Sequence, residues 1–413
     1  MNSKVKEICR QIEERIHTAQ LSDFQVPGEK LLLSSDFAYG VWLELVDDAV
    51  LYAMVDPSKL PLAENAVNIF LRNQKPDGQI PCYVWDPVKM GPAFPKDQLI
   101  GDGQIQECYS FAGLAWHVYK MNGDRDFLIR AYDGCSRWEN WLRNHRMTLG
   151  QGLIEMFCGY DTGHDHSGRL EGMSCPGNQT ISEDVVINAA VLPPEDGITP
   201  IVAVDMSCNF YGTLRALAQM AEELGRPDAE VQQWVEKAAY VKQRLFEVCF
   251  DPEDCFFYDV DKKGRKRKYL SSTILHLFLE GVLDPETDRE LIDELYRRYI
   301  GNPDHFATPY PYPSMSISDP SSKNHDAINC WGYYVQGCLV VRCAFWMDRY
   351  GYSQDLDRLC RQWVSAWTEC FDTFKLGQEI DPITGKQNGC CPWFASSMVM
   401  YLYAAKRLGY YKV

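Results

Sequence analysis

The sequence is poor in positive charge and in long apolar runs, and both shortages exclude classes of protein. Its 41 lysines and arginines stand against 57 aspartates and glutamates, which gives a net charge of −16. Because a nucleic-acid binder needs a basic face, we expect no nucleic-acid partner. No apolar stretch approaches the roughly 20 residues that cross a bilayer, and the opening residues lack the apolar core of a signal peptide. We therefore expect a cytoplasmic protein with no membrane partner, and the sequence leaves homo-oligomer formation open.

Motifs for cofactors and metals are also missing. The 29 glycines never fall into the G-x-G-x-x-G pattern that follows a strand in dinucleotide-binding proteins. The 16 cysteines contain no C-x-x-C spacing, so a structural zinc site is not expected. Without an export signal, these cysteines are expected to be reduced and mostly buried. We expect no cofactor and no bound metal.

Apolar residues recur at helical spacing through most of the chain, which predicts an all-α protein. Twelve helices are predicted, with Asp124, Asp205 and Ser353 at positions where N-caps belong. The links between the helices alternate between short and long. Short links make antiparallel hairpins, so six hairpins closed in a ring predict an (α/α) barrel with every long link on one rim. No linker divides the chain, and a single catalytic domain over residues 1–413 is expected. The predicted helices lie near residues 3–20, 38–55, 59–74, 104–121, 125–146, 205–224, 227–248, 270–281, 285–299, 328–349, 354–372 and 393–408.

The long links are expected to carry function, as long loops in compact proteins usually do. Residues 255–260 followed by a turn at 261–264 predict a small β-hairpin in one of them. The longest link, near 147–204, is predicted to be a rim insertion. Its Pro193-Pro194 pair suits a folded lid better than a helix.

One of these links contains the most polar stretch of the sequence. Residues 159–169 place two carboxylates, two imidazoles and a guanidinium among three glycines. A loop with so little apolar surface is either a hydrogen-bonded surface loop or a ligand site. A second acidic loop, residues 378–385, lies on a long link of the same predicted rim.

Paired carboxylates on facing loops are the minimal equipment for glycoside hydrolysis, and Asp165 and Glu379 offer such a pair. One carboxyl group must be protonated to donate to the leaving oxygen, while the other must be ionised. The negative charge of Asp161 would raise the pKa of Asp165 to suit the acid's work. Arg169 would hold the charge of a neighbouring group or bind a sugar hydroxyl.

Two motifs resemble those of the trehalase and processing α-glucosidase clan of glycoside hydrolases. Residues 163–169, G-H-D-H-S-G-R, resemble its S-G-x-D-N-S-P-R motif, and residues 378–385, Q-E-I-D-P-I-T-G, resemble its E-Y-[FY]-[DN]-P-x-T-G segment. Further pieces of the clan's pattern follow in the right order at residues 73–81, 104–106, 204–206, 310–320 and 393–396. The resemblance covers the chain from about residue 36 to 409. Among the clan's members, the chain is similar in size to the bacterial mannosylglycerate and glucosylglycerate hydrolases.

The resemblance implies an inverting enzyme on a six-hairpin (α/α) barrel, with Asp165 as general acid and Glu379 as general base. It also implies a small carbohydrate as the binding partner. Residues that line or flank the matched segments are the expected substrate contacts: Asp47, Gln106, Glu107, Tyr160, Asp161, His164, Arg169, Trp331 and Trp393. Several of these have a structural alternative, because tryptophans also fill barrel cores and acids also cap helices.

The chain departs from the clan's pattern around the sugar. Val46 replaces a tryptophan, Glu107 and Cys108 replace two prolines, and the W-R-G-P-x-W segment at residues 326–331 keeps only its last tryptophan. The catalytic pair is retained while this shell has changed, which predicts the same chemistry on a different sugar or leaving group. A roofed pocket without a polymer-binding module favours an exo-acting hydrolase of a disaccharide or another small α-glycoside.

Two other functions fit the same barrel. A sugar epimerase or isomerase would use rim histidines as acid and base, and His164, His166, His305 and His325 fall on the long links. A carbohydrate-binding protein that has lost its activity is the other alternative. Proton NMR of a reaction mixture distinguishes cleavage, epimerisation and binding alone.

Overall fold

The computed structural model describes residues 2–35, 39–173, 188–192, 196–323 and 331–412. Three predicted features lie outside the described residues: His325, residues 326–330 of the altered W-R-G-P-x-W segment, and the Pro193-Pro194 pair of the expected lid. Among the described residues, no helix is both long enough and apolar enough to cross a membrane.

Helices dominate the described structure, and twelve of them fall at the predicted positions. One short helix, α4, was not predicted. The helices are α1 (Asn2–Arg15), α2 (Val46–Val55), α3 (Leu60–Arg72), α4 (Pro87–Met90), α5 (Phe111–Asn122), α6 (Arg125–His145), α7 (Val204–Glu223), α8 (Asp228–Val248), α9 (Leu275–Leu279), α10 (Arg289–Leu295), α11 (Gly337–Trp346), α12 (Ser353–Phe374) and α13 (Ala395–Arg407).

Five helices begin at least four residues later than the apolar spacing predicts, namely α2, α5, α9, α10 and α11. The backbone shows the cause at α2 and α5. The helix expected from residue 38 begins at Val46, because residues Gly40–Trp42 form a strand and Leu43–Leu45 a 3₁₀ turn. The helix expected from residue 104 begins at Phe111. Its expected first turn contains Gln106 with a φ of +53°, a left-handed conformation that a right-handed helix does not continue.

The predicted helix caps were confirmed only in part. Asp124 caps α6 as predicted, accepting the backbone N–H of Asp126 at 2.9 Å. The prediction that Asp205 and Ser353 are N-caps was wrong. Asp205 is the second residue of α7, which Ala203 precedes, and Ser353 is the first residue of α12, which Tyr352 precedes. The first N–H of α7, at Val204, is instead bound by the carboxylate of Asp259 at 2.9 Å.

The chain divides into two compact units. The first comprises residues Met1–Ala66, Trp85–Leu99 and Tyr296–Val413. Its helices α2, α11 and α13 are buried on nearly all sides, whereas α12 buries one face that includes Trp363 and Trp367. A helix that is buried all round belongs to the interior of its unit, and an amphipathic one covers it. The strand pairs of this unit are antiparallel: β1 (Leu21–Ser22) with β2 (Leu31–Leu32), and β12 (Val335–Gln336) with β13 (Glu379–Ile380).

The second unit comprises residues Val67–Val84 and Ile100–Leu295. Within it α7 is buried along most of its length and packs against α5, α6, α8 and α9. The predicted β-hairpin near residues 255–264 is confirmed, with strands at Asp259–Val260 and Lys266–Arg267 and Gly264 in its turn at a φ of +76°. The other strands of the described residues are β3 (Gly40–Trp42), β4 (Tyr83–Trp85), β5 (Ile100–Gly101), β6 (Glu155–Met156), β7 (Ile201–Val202), β8 (Phe250–Asp251), β9 (Phe256–Phe257), β10 (Asp259–Val260) and β11 (Lys266–Arg267).

Candidate active site

The polar loop at residues 159–169 is held in the second unit by Asp161. This carboxylate is 0% exposed and accepts a bidentate pair of bonds from Arg146, at 2.6 and 3.1 Å. It also accepts the backbone N–H groups of Ile105, Phe157 and Cys158 at 3.0, 2.7 and 3.2 Å. A carboxylate with five protein donors has its acceptor sites largely occupied, so Asp161 is bound within the framework of the loop. Its charge is balanced by Arg146 and is therefore not the unpaired negative neighbour that we expected for Asp165.

Arg169 anchors the other end of the loop. Its guanidinium is 1% exposed and bonds Asp205 on α7 at 2.5 Å and Asp259 on β10 at 3.0 Å. These two carboxylates raise the pKa of Arg169 even though burial opposes its charge. Because Asp259 also binds the first N–H of α7, the loop, the strand and the helix start are joined by one ionic network.

Asp165 lies between these two anchors. It is half-buried, while the preceding His164 is buried and the following His166 is exposed. Gly163 and His166 both have left-handed φ values, +67° and +58°, so the chain turns on each side of the carboxylate. Tyr160, the remaining polar aromatic residue of the loop, is also half-buried.

Three side chains beside the loop have atoms of the kind that bind metals. The ligand atoms of His164, Asp205 and His276 lie within 4.8 Å of one another, and all three residues are buried. The Nδ1 atom of His164 is 3.7 Å from Asp205, and that of His276 is bonded to Asn209 at 3.0 Å. A cation at this position would compete with the guanidinium of Arg169, which already bonds both oxygens of Asp205.

Glu107 and Gln106 lie four and five residues before Phe111, the first residue of α5. The carboxylate of Glu107 is buried and accepts the backbone N–H of Phe111 at 2.6 Å and the indole N–H of Trp138 at 3.2 Å. Burial raises the pKa of Glu107 to about 7, against the opposing effect of these two bonds. Gln106 is buried and accepts a hydrogen bond from the side chain of Gln104. In this structure both expected sugar contacts bond to protein groups.

Glu379 lies in the first unit and is 1% exposed. Strands β12 and β13 place Gln336 directly opposite it, and the Nε2 group of Gln336 donates to one carboxylate oxygen at 2.6 Å. The side-chain amide of Asn388 donates to the other oxygen. With an amide donor on each oxygen, the carboxylate is fixed in orientation and acts as an acceptor.

The other expected contacts of the first unit have mixed surroundings. Asp47 is buried on α2 and bonds Arg342 at 3.0 Å, and its pKa is raised because burial outweighs that guanidinium. Trp331 is buried. Trp393 is partly exposed and has Arg15 over its ring at 5.5 Å.

Several residues that shape the two loops were not predicted from the sequence. They are Arg146, Asp259, Gln336 and Asn388, which hold the candidate carboxylates or their anchors. Asp259 lies in the predicted β-hairpin but was not expected at the site, and the other three belong to no motif that we singled out. Asp205 was singled out, but as a helix cap. Of these residues, Arg146 has one usable signal in the sequence, because it is a basic residue directly after the amphipathic helix α6.

Comparison with known proteins connects this geometry to an enzyme class. Residues 53–331 match the family model of the mannosylglycerate hydrolase MGH1-like glycoside hydrolase domain. No curated protein sequence matches the chain significantly.

Solved structures share the fold at low sequence identity. GH63 mannosylglycerate hydrolase from Thermus thermophilus, in complex with Tris, has a TM-score of 0.69 and 16% identity over 97% of this chain and 99% of its own. Neutral trehalase from Saccharomyces cerevisiae has a TM-score of 0.65 and 14% identity over 97% of this chain and 80% of its own. Both are (α/α) barrels, so the fold class predicted from the alternating links is confirmed.

The family match, on a fold that solved glycoside hydrolases share, defines a glycoside hydrolase. The chain belongs to the family of mannosylglycerate hydrolase MGH1-like glycoside hydrolases, as the resemblance of its two motif loops predicted. This membership favours hydrolysis over the epimerase and binding-protein alternatives.

Proposed function

We propose that this protein is an inverting, exo-acting hydrolase of a small α-glycoside, with Asp165 as general acid and Glu379 as general base. In this reaction Asp165 donates its proton to the glycosidic oxygen as the bond to the anomeric carbon breaks. Glu379 takes a proton from the water that attacks the opposite face of the sugar. No metal or cofactor takes part in this scheme.

The observation that carries the assignment is the contrast between the two carboxylates of the polar loop. Asp161 is fully buried with five protein donors, whereas Asp165 is half-buried at the midpoint between two anchored residues. A general acid must reach the leaving oxygen, and of the two aspartates Asp165 is the one that is not fully buried. The anchors at Asp161 and Arg169 support the fixed orientation that proton transfer requires.

The surroundings of Glu379 support its role as base. Donors from Gln336 and Asn388 orient the carboxylate so that its remaining lone pairs are available to a water molecule. Its near-complete burial limits its access to bulk solvent, as in sites that select a single attacking water.

The substrate class is drawn from the departures in the sequence and from a relative. The Thermus protein is described in complex with Tris and D-glycerate and, in a second structure, with glucose. Both D-glycerate and glucose are single small molecules, which supports a small glycoside for this chain. The replacement of Trp by Val46 and of two prolines by Glu107 and Cys108 supports a sugar or leaving group that differs from those of the clan's familiar members.

The test is a panel of glycosides followed by isosteric variants. Mannosylglycerate, glucosylglycerate, α-linked disaccharides and starch are supplied at equal concentrations of terminal residues. We expect cleavage of a small glycoside and negligible release from starch. Asp165→Asn and Glu379→Gln should each lower turnover by at least about 100-fold, the scale of a lost general acid or base.

Matched controls separate these losses from general damage. Asp133→Asn and Glu369→Gln alter exposed carboxylates of the same two types on α6 and α12, and both should keep wild-type turnover. Circular dichroism checks the fold of all four variants. Near-full activity in either Asp165→Asn or Glu379→Gln would refute the assignment, and faster release from starch would refute the small-substrate proposal.

A further inference from the structure

Two adjacent cysteines lie in the segment between strand β13, which contains Glu379, and helix α13. The Sγ atoms of Cys390 and Cys391 are 3.3 Å apart, and neither residue is in a disulfide. Cys390 is buried, whereas Cys391 is partly exposed and has a left-handed φ of +48°. An accessible thiol with a second thiol in contact is the arrangement from which a disulfide forms after oxidation.

Two routes of hydrogen bonds connect Cys390 to Glu379. The carbonyl of Cys390 accepts the backbone N–H of Gln378, the residue before Glu379, at 3.0 Å. The backbone N–H of Cys390 donates at 3.0 Å to the side-chain oxygen of Asn388, whose amide group holds Glu379. A change in the backbone at Cys390 therefore reaches the carboxylate through its neighbour and through its donor.

Closing a disulfide between neighbouring residues requires such a change. A sulfur–sulfur bond is about 2.05 Å long, so the two Sγ atoms must approach by about 1.3 Å. The Cα atoms of adjacent residues are about 3.8 Å apart, less than the roughly 4.4 Å at which ordinary disulfides begin. The ring closes through the Cys390 carbonyl carbon and the Cys391 nitrogen. Closure therefore strains this ring, and we expect the strain to rotate the peptide group whose oxygen binds Gln378 and to make the bond readily reduced.

We propose that Cys390 and Cys391 form an oxidation site that reversibly switches off the base Glu379; the switching step rests on the proposed function. The Cys391 thiolate attacks a peroxide oxygen and breaks the O–O bond, which gives a sulfenic acid and a hydroxide that takes up the proton lost by the thiol and leaves as water. The Cys390 thiol then displaces the sulfenic oxygen as a second water and forms the disulfide. The two sulfurs lose two electrons, the peroxide gains two, and a small dithiol reverses the step.

The first measurement is chemical and does not depend on any substrate. The full-length protein is treated with hydrogen peroxide, and its remaining thiols are alkylated. After digestion, the mass of the peptide that contains residues 390–391 is measured by mass spectrometry. We expect that peptide to lose two hydrogens and escape alkylation, and dithiothreitol to restore it. Alkylated thiols at both positions, or added oxygen in place of a disulfide, would overturn the proposal.

The second measurement follows the effect on Glu379. The hydrolysis rate should fall at least tenfold in step with disulfide formation and return with dithiothreitol. Cys391→Ser should keep the basal rate and lose the response, whereas Cys370→Ser, which alters another partly exposed thiol on α12, should keep both. A disulfide that forms without a fall in rate would overturn the switch.

Hydrogen exchange keeps the test decisive if no glycoside is hydrolysed. Loss of the bond between the Gln378 N–H and the Cys390 carbonyl should raise the exchange rate of the Gln378 amide at least tenfold in the oxidised protein. The same amide should not respond to peroxide in Cys391→Ser. An unchanged exchange rate overturns the connection to Glu379, whereas a panel without hydrolysis but with the expected exchange refutes the proposed function alone.

Discussion

Asp161→Asn should destabilise the protein strongly, although Asp161 is only four residues from the proposed acid. The substitution removes the negative charge that balances Arg146, whose side chain is 1% exposed. It also puts an amide donor where the guanidinium or a backbone N–H now donates. Breaking a buried ion pair by removing one partner costs about 3–5 kcal/mol, because the other charge stays buried without compensation.

Urea unfolding measures this cost directly. At a slope of about 3 kcal/mol per M, a loss of about 3–5 kcal/mol lowers the unfolding midpoint by about 1–1.7 M. Asp165→Asn is the matched comparison, since it makes the same chemical change at a half-buried position and should shift the midpoint by less than about 0.5 M. Equal midpoints for Asp161→Asn and the wild type would show that the buried ion pair does not anchor the loop.

Two other predictions concern stereochemistry and pH. Freshly released sugar, followed by NMR, should appear first as the β anomer from an α-glycoside, and an initial α anomer would contradict an inverting mechanism with Glu379 as base. Burial raises the pKa of Glu107 from 4.5 to about 7. Protonation of Glu107 therefore contributes its full stability below the unfolded pKa of 4.5, and this contribution is lost as the pH rises through the folded pKa of about 7. Glu107→Gln should therefore remove this part of the pH dependence of the unfolding free energy, and a variant whose stability falls with pH as steeply as that of the wild type would contradict it.

The sequence predicted those features of the fold that repeat. Helix positions followed from apolar spacing, and the alternation of link lengths was enough to predict the barrel. Local backbone exceptions were not predictable in this way. Apolar residues continue upstream of α2 and α5, but a strand at Gly40–Trp42 and the left-handed Gln106 interrupt the helical path. Periodicity records which face is buried and does not record the φ value of a single residue.

Polar side chains that pair across long stretches of the chain could not be predicted from the sequence for a different reason. Arg169 bonds Asp259 across 90 residues, and Gln336 bonds Glu379 across 43. With 57 acidic residues in the chain, the position of Asp259 in a strand gives no indication of its partner. Asp205 is a second case in which the sequence did not indicate the partner of a buried carboxylate. Its place near a helix start predicted a cap, yet its carboxylate receives an arginine from a loop that only the folded chain brings near.

These pairings explain how a loop with three glycines and little apolar surface becomes ordered. Fixing each residue costs about 1–2 kcal/mol of conformational entropy, and burial of apolar side chains contributes little here to offset it. The ionic anchors at Asp161 and Arg169 supply that stabilisation four residues on either side of Asp165. A general acid gains from this arrangement, because its orientation is set before the substrate arrives and is not paid for during the reaction. The loop therefore uses the carboxylate of Asp161 for rigidity, and that rigidity would orient Asp165 for the proton transfer that we propose.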